Sequence, residues 1–140
     1  MTSIEETIGY RIALLCRTHR NYGAVMLEPL GIYIGQELIL AQLWREEGMN
    51  QSLLASRVGV EVSTMTKTLQ RLERYGLVER RQDTEDTRVW HVFLTEQGRA
   101  LQPALTTEWE KIEQQTLAGF SDDERTVLCG FLDRIKQNLA

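Results

Sequence analysis

The 140-residue sequence is poor in the residue types that most often carry chemistry or cross-links. Its two cysteines, Cys16 and Cys129, are too few and too far apart for a disulfide framework. Its two histidines, His19 and His91, stand apart, and no Cys/His cluster falls at metal-ligand spacing, so no metal centre is expected. There is no Gly-rich phosphate loop, no nucleophile elbow and no paired-carboxylate site, so neither an enzyme nor a cofactor is expected. No apolar run approaches the ~18 residues of a membrane span, and no leader segment is visible ahead of the first helical pattern, so the cytoplasm is the expected compartment. With only two prolines, Pro29 and Pro103, no internal repeat and no low-complexity linker, residues 1–140 read as one domain. Positive charge is not in excess either: 16 Lys and Arg face 20 Asp and Glu, a net charge of −4. That balance argues against a protein that coats polyanions indiscriminately.

What the sequence does have is concentrated between Asn50 and Thr95. Gln51 to Val58 carries Leu54, Ala55 and Val58 at the spacing of a short helix. Gly59 follows, where a helix end favours a residue free to take positive φ. A second helix starts near Val62, with Met65, Leu69 and Leu72 at i, i+4 and i+7 on one narrow apolar face. Gly76 stops it. Two short helices over a tight turn make a helix-turn-helix pattern. At about 100° per residue, Ser63, Lys67, Gln70 and Arg74 point away from the apolar face. Thr64 and Arg71 flank them on one side and Thr66 on the other. That face holds no acidic residue, Glu73 lying nearer the apolar side. Hydroxyls, an amide and cations are the groups that bond base edges and phosphates in a major groove. A merely solvated charged face is the ordinary alternative.

The segment that follows tips the balance towards DNA. Leu77 to Arg81 and Val89 to Leu94 read as two strands, the second rich in aromatic and branched residues. Gln82 to Arg88 joins them, polar and long for a tight hairpin. Arg80, Arg81 and Arg88 lie on or beside this loop, and an arginine at such a tip can enter a narrow minor groove. Asp86, two residues before Arg88, is placed to hold its guanidinium. Charge follows the same division. Residues 57–91 hold seven basic and six acidic residues, and the rest of the chain holds nine and fourteen.

The run Leu53-Leu54-Ala55-Ser56-Arg57-Val58-Gly59-Val60, the run from Thr66 to Arg81, Asp86-Thr87-Arg88 and Leu94-Thr95-Glu96-Gln97-Gly98 resemble the MarR family of bacterial transcriptional regulators. The family's Asp-x-Arg wing signature falls on Asp86 and Arg88. The resemblance implies a mainly α fold with a small β-hairpin. It would be a winged helix-turn-helix over residues 34–99, with helices in 1–33 and 100–140 forming a dimerisation region. It further implies a homodimer that binds pseudo-palindromic double-stranded DNA, usually as a repressor released by a small molecule. Three positions depart from the family pattern. Glu61 stands where a serine usually caps the reading helix, Tyr33 where threonine often precedes the second helix, and Phe93 at an outward strand position often small and polar.

Around the head, the pattern is helical. Residues 4–27 place Ile8, Ile12, Leu15, His19, Tyr22 and Met26 near one stripe, and Glu28-Pro29-Leu30-Gly31 breaks it. Ile34 to Glu46 follows, with Leu38, Ala41, Leu43 and Trp44 read as inward. Thr95 is the expected cap of a helix running to about Gly119, bent or divided near Pro103. Ser121 to Glu124 is a capping box, and Val127, Leu128, Phe131, Leu132, Ile135 and Leu139 give an amphipathic last helix. The terminal helices are read as a shared dimer interface, with an intramolecular bundle as the alternative. A pocket for a phenolic or carboxylate ligand is expected where the first, second and fifth helices meet, with Arg17, His19, Arg20, Tyr22, Tyr33 and Glu37 as candidates. Two other readings remain open. One is a winged-helix protein-interaction module that does not bind DNA, motivated by the acidity. The other is a thiol-based redox sensor, although the family's peroxide-sensing position falls on Gly9, and Cys16 and Cys129 are read as core residues.

Overall fold

Helix boundaries fall where side chains satisfy free backbone N–H groups. The computed structural model describes residues 3–140. Its elements are α1 (Ile8–Leu27), α2 (Gln36–Arg45), β1 (Met49–Asn50), α3 (Gln51–Val58), α4 (Val62–Arg74), β2 (Val78–Gln82), β3 (Trp90–Leu94), α5 (Glu96–Ala100), α6 (Gln102–Thr116) and α7 (Asp122–Leu139). Thr7 caps α1, Asn50 accepts from the N–H groups of Ser52 and Leu53 at the start of α3, and Thr95 caps α5. Ser121 and Glu124 close the capping box at α7. Glu61 begins α4 without a side-chain cap, so only its charge favours the helix dipole there. Gly59 and Gly76 both take φ +74°, which turns the chain sharply after α3 and α4 without the penalty that a Cβ would bring.

The core lies under α3, α4 and the sheet. Leu40 and Leu43 of α2, Leu54 and Ala55 of α3, and Met65, Leu69 and Leu72 of α4 are buried against Val92 and Leu94 of β3. Each buried leucine contributes on the order of 1.5–3 kcal/mol, so the three-residue apolar stripe of α4 is enough to fix which face it shows to solvent. Leu27, Leu105 and Ile112 extend the same core along α1 and α6.

Several expectations need correction. The sheet has three antiparallel strands in the order β1-β3-β2, not two, with Met49 opposite Val92 and Arg81 opposite His91. β1 is two residues long, too short to show alternation. Leu38 and Ala41 are exposed, and Ile39 and Leu40 take the inward positions beside Leu43. α2 is apolar on several sides, so periodicity alone did not select its core face. The helix after the wing is divided near Pro103 as expected: the break falls at Leu101, between α5 and α6, with Pro103 in the first turn of α6. Cys16 and Cys129 are exposed rather than core, because the stripes that carry them are not covered within one chain. α7 buries no residue at all, and Ile8, Leu15, Val127, Phe131 and Leu132 stand in the open. No helix among the described residues is long and apolar enough to cross a membrane.

Candidate nucleic-acid interface

α4 presents Ser63, Thr64, Lys67, Gln70, Arg71 and Arg74 to solvent. Thr66 is half-buried and already engaged: it accepts from Gln51 Nε2 (2.6 Å) and donates to the Val62 carbonyl (3.0 Å). Its hydroxyl therefore ties α3 to α4, and it sits beside the reading face rather than on it. Arg71 lies with Cζ 5.5 Å from the Tyr33 ring, and Tyr33 stacks on Tyr75 with centroids 6.4 Å apart. The guanidinium is thus held at the edge of the face by an aromatic pair.

The wing is built by a second set of contacts. Arg88 is 89% exposed, the freest cation of the loop, and Asp86 holds its backbone N–H and its Nε (3.0 and 3.1 Å). That pairing, with the Arg88 side chain as the larger cause, keeps the Asp86 carboxyl below its ordinary range. Asp83 accepts from the N–H groups of Glu85 and Asp86 and contacts His91 Nε2 at 3.0 Å. The His91 contact is the first cause of its lowered pKa. His91 Nδ1 faces the Gly48 carbonyl at 3.3 Å, so one imidazole joins the loop tip to the turn before β1.

Arg80 and Arg81 point to opposite faces of β2. Arg80 is only 16% exposed: Glu73 accepts its Nε at 2.7 Å, and its Cζ lies 5.2 Å from the Trp90 ring. Glu73 thereby explains why the open face of α4 lacks a carboxylate, since it turns back to brace the wing. Arg81 is more open, paired with Glu79 and stacked 4.1 Å from the Phe93 ring. Phe93 serves as that arginine's platform. Glu47 reaches across to Arg99 and to the Leu94 N–H (3.0 Å), and the Arg99 bond holds its carboxyl below the ordinary range. The bracing roles of Gln51, Glu73, Tyr75, His91 and Glu47 were not readable beforehand. Each depends on a partner 7 or more positions away or on an aromatic pair made by the fold.

Of the pocket candidates, Tyr33 and Glu37 each border a cavity. Tyr33 borders a cavity of about 850 Å³ with Ala24, Ile32, Tyr75, Gln97 and Leu101. Glu37 borders a separate one of about 410 Å³. His19 meets Trp109 edge-on (6.1 Å), while Arg17, Arg20 and Tyr22 are exposed on α1 and line neither cavity. Among the described residues, no group of three His, Cys, Asp or Glu is arranged to hold a metal ion.

The model of the MarR family matches residues 32–90. The chain is 36% identical over 99 residues to the uncharacterised HTH-type transcriptional regulator YwoH of Bacillus subtilis (strain 168), covering 71% of this chain and 72% of that one. A MarR transcriptional regulator from Methanosarcina mazei Go1, solved by crystallography, is 32% identical, with 94% of both chains covered and a TM-score of 0.85. A putative MarR family transcriptional regulator from Listeria monocytogenes, solved with a 26mer DNA, shares the fold at a TM-score of 0.86 and 24% identity, over 96% of this chain and 89% of that one.

Proposed function

The chain belongs to the MarR family of DNA-binding transcriptional regulators, and from that premise we propose that it acts as a homodimeric repressor of a pseudo-palindromic operator, released by a small molecule. The observation that carries this reading is the pairing of two surfaces. The exposed face of α4 has cations, hydroxyls and an amide but no carboxylate, and it lies beside a wing whose outermost arginine is oriented by Asp86. Lys67, Gln70 and Ser63 would face the major groove, with Thr64, Arg71 and Arg74 towards its phosphates. Arg88 would enter the minor groove. Arg81, set on Phe93, would meet the backbone, and Arg80, with Thr66, would position these groups more than touch DNA. The DNA-bound Listeria neighbour supports the same use of the fold.

Two identical heads suit two half-sites one helical turn apart, ~34–36 Å, and the uncovered apolar faces of α1 and α7 supply a surface for pairing. The larger cavity suits a phenolic ligand: two tyrosines and Gln97 offer polar groups in an apolar wall. Tyr33 is shared between that cavity and Arg71. A ligand that moves Tyr33 would move a cation of the reading face, lowering affinity by favouring another state of the dimer. The test is capture of sheared genomic DNA by the wild type beside Arg88→Ala. A few enriched fragments sharing an inverted repeat, lost in the variant, are expected. Absence of enrichment at low salt would overturn DNA binding and leave a protein-interaction module.

A further inference from the structure

The first turn of α4 departs from the pattern of the helices around it. Thr7, Asn50, Thr95 and Ser121 cap α1, α3, α5 and α7, but Glu61 gives α4 no side-chain cap. The next residue, Val62, is β-branched, a type that loses rotamer freedom in a helix. Burial does not offset that cost. Met65, Leu69 and Leu72 are fully buried, whereas Val62 is 49% exposed. A residue that breaks the local rule without a gain in packing points to a function. Scattered apolar residues are ordinary on a surface, so position decides. Val62 is the first residue of α4, and the N-terminal residues of a reading helix are those that reach base edges.

Val62 is also held in place. Thr66, one turn on, donates its hydroxyl to the Val62 carbonyl (3.0 Å) and accepts from Gln51 Nε2 (2.6 Å). Gln51 is itself buried at the start of α3, so the start of α4 is tied to the body of the head. At about 100° per residue, Val62 stands beside Ser63 on the Thr66 side of the reading face. Its side chain is stiff at χ1 and presents methyl groups in a fixed direction. It has no donor or acceptor, so neither a phosphate nor the polar atoms of a base edge gain from meeting it. The major groove offers one apolar group, the C5-methyl of thymine. Cytosine presents its amino group there, and the purines N7 with O6 or N6. Ser63, Thr64 and Lys67 are open beside Val62 to take polar atoms.

We propose that Val62 reads the C5-methyl of a thymine in each half-site, which makes it a specificity-determining residue of the operator contact. The proposal rests on the regulatory reading and adds a base to it. The test uses synthetic duplexes of a genomic fragment captured by the protein. Each thymidine of the protected segments is replaced in turn by deoxyuridine, which pairs identically and lacks only the methyl. Fluorescence anisotropy gives the affinity of the wild type and of Val62→Ala for each duplex. One thymine position, repeated across the dyad, should cost the wild type about fourfold when replaced in one half-site and about fifteenfold in both. In Val62→Ala the single-site loss should shrink below about twofold. Alanine is the better helix former, so the variant keeps α4. No sensitive thymine in the wild type, or a loss undiminished in Val62→Ala, would overturn the proposal. If no duplex is bound at all, the regulatory reading fails and this proposal with it. Binding without methyl sensitivity removes this proposal alone.

Discussion

At the residue scale, the candidate contacts divide into those free to meet DNA and those held within the protein. Arg88 is free and oriented, so Arg88→Ala should weaken operator binding by about tenfold and lower the slope of log affinity against log salt by roughly two, one phosphate-scale contact for each head of a dimer. Fluorescence anisotropy between low and moderate salt measures both, and unchanged affinity and slope would remove the wing from the interface. Gly98 is constrained in another way. It lies inside α5, where alanine ordinarily helps a helix, but a Cβ there would meet the Leu77 carbonyl, which is backbone and cannot rotate away. Gly98→Ala should therefore cost about 1–3 kcal/mol, read from the urea midpoint at unchanged m-value. A neutral or stabilising result would contradict the close approach of α5 to the backbone at Leu77, just before β2. Residue types on the open face of α4 were legible because periodicity assigns faces. The engagement of Thr66 and Arg80 was not, because Gln51 and Glu73 approach them only after the chain folds.

At the scale of elements, the wing is a loop held by carboxylates. Asp83 and Asp86 both titrate below their ordinary range, through His91 and Arg88 respectively. Their contribution to loop order is complete above the ordinary Asp range and is lost as pH falls through the lower, folded values. Amide signals of Glu85, Asp86 and Arg88 should hold their positions at pH 5 and move together only below about pH 4. Movement between pH 6 and 5 would mean that the carboxylates do not hold the loop. α3 and α4 were readable because each has an apolar stripe and a glycine stop, and both fall where those marks place them. β1 was hidden because two residues carry no period, and its pairing with β3 depends on Met49 meeting Val92 across the fold. The face of α2 was hidden for the opposite reason, an excess of apolar residues.

At the scale of the whole molecule, the single chain leaves too much apolar surface open. It exposes 10147 Å², whereas a folded monomer of 16.2 kDa is expected to expose roughly 7,500 Å². The excess is of the size that a large obligate interface removes. Cys16 and Cys129 are exposed for this reason: an apolar stripe implies cover, but a sequence does not say whether its own chain provides it. Phe131→Glu combined with Leu132→Glu should give a monomer by analytical ultracentrifugation and at least a hundredfold loss of operator affinity, since one head carries half the contacts. A stable dimer in that variant would move the interface elsewhere. Two heads of a dimer should read one inverted repeat. Hydroxyl-radical footprinting on a genomic fragment captured by the protein tests it most directly. Two protected segments related by a dyad are expected, centred about 10–10.5 base pairs apart or a multiple of that spacing, each losing its minor-groove flank in Arg88→Ala. A single protected segment at saturating protein, or uniform protection along the fragment, would contradict it.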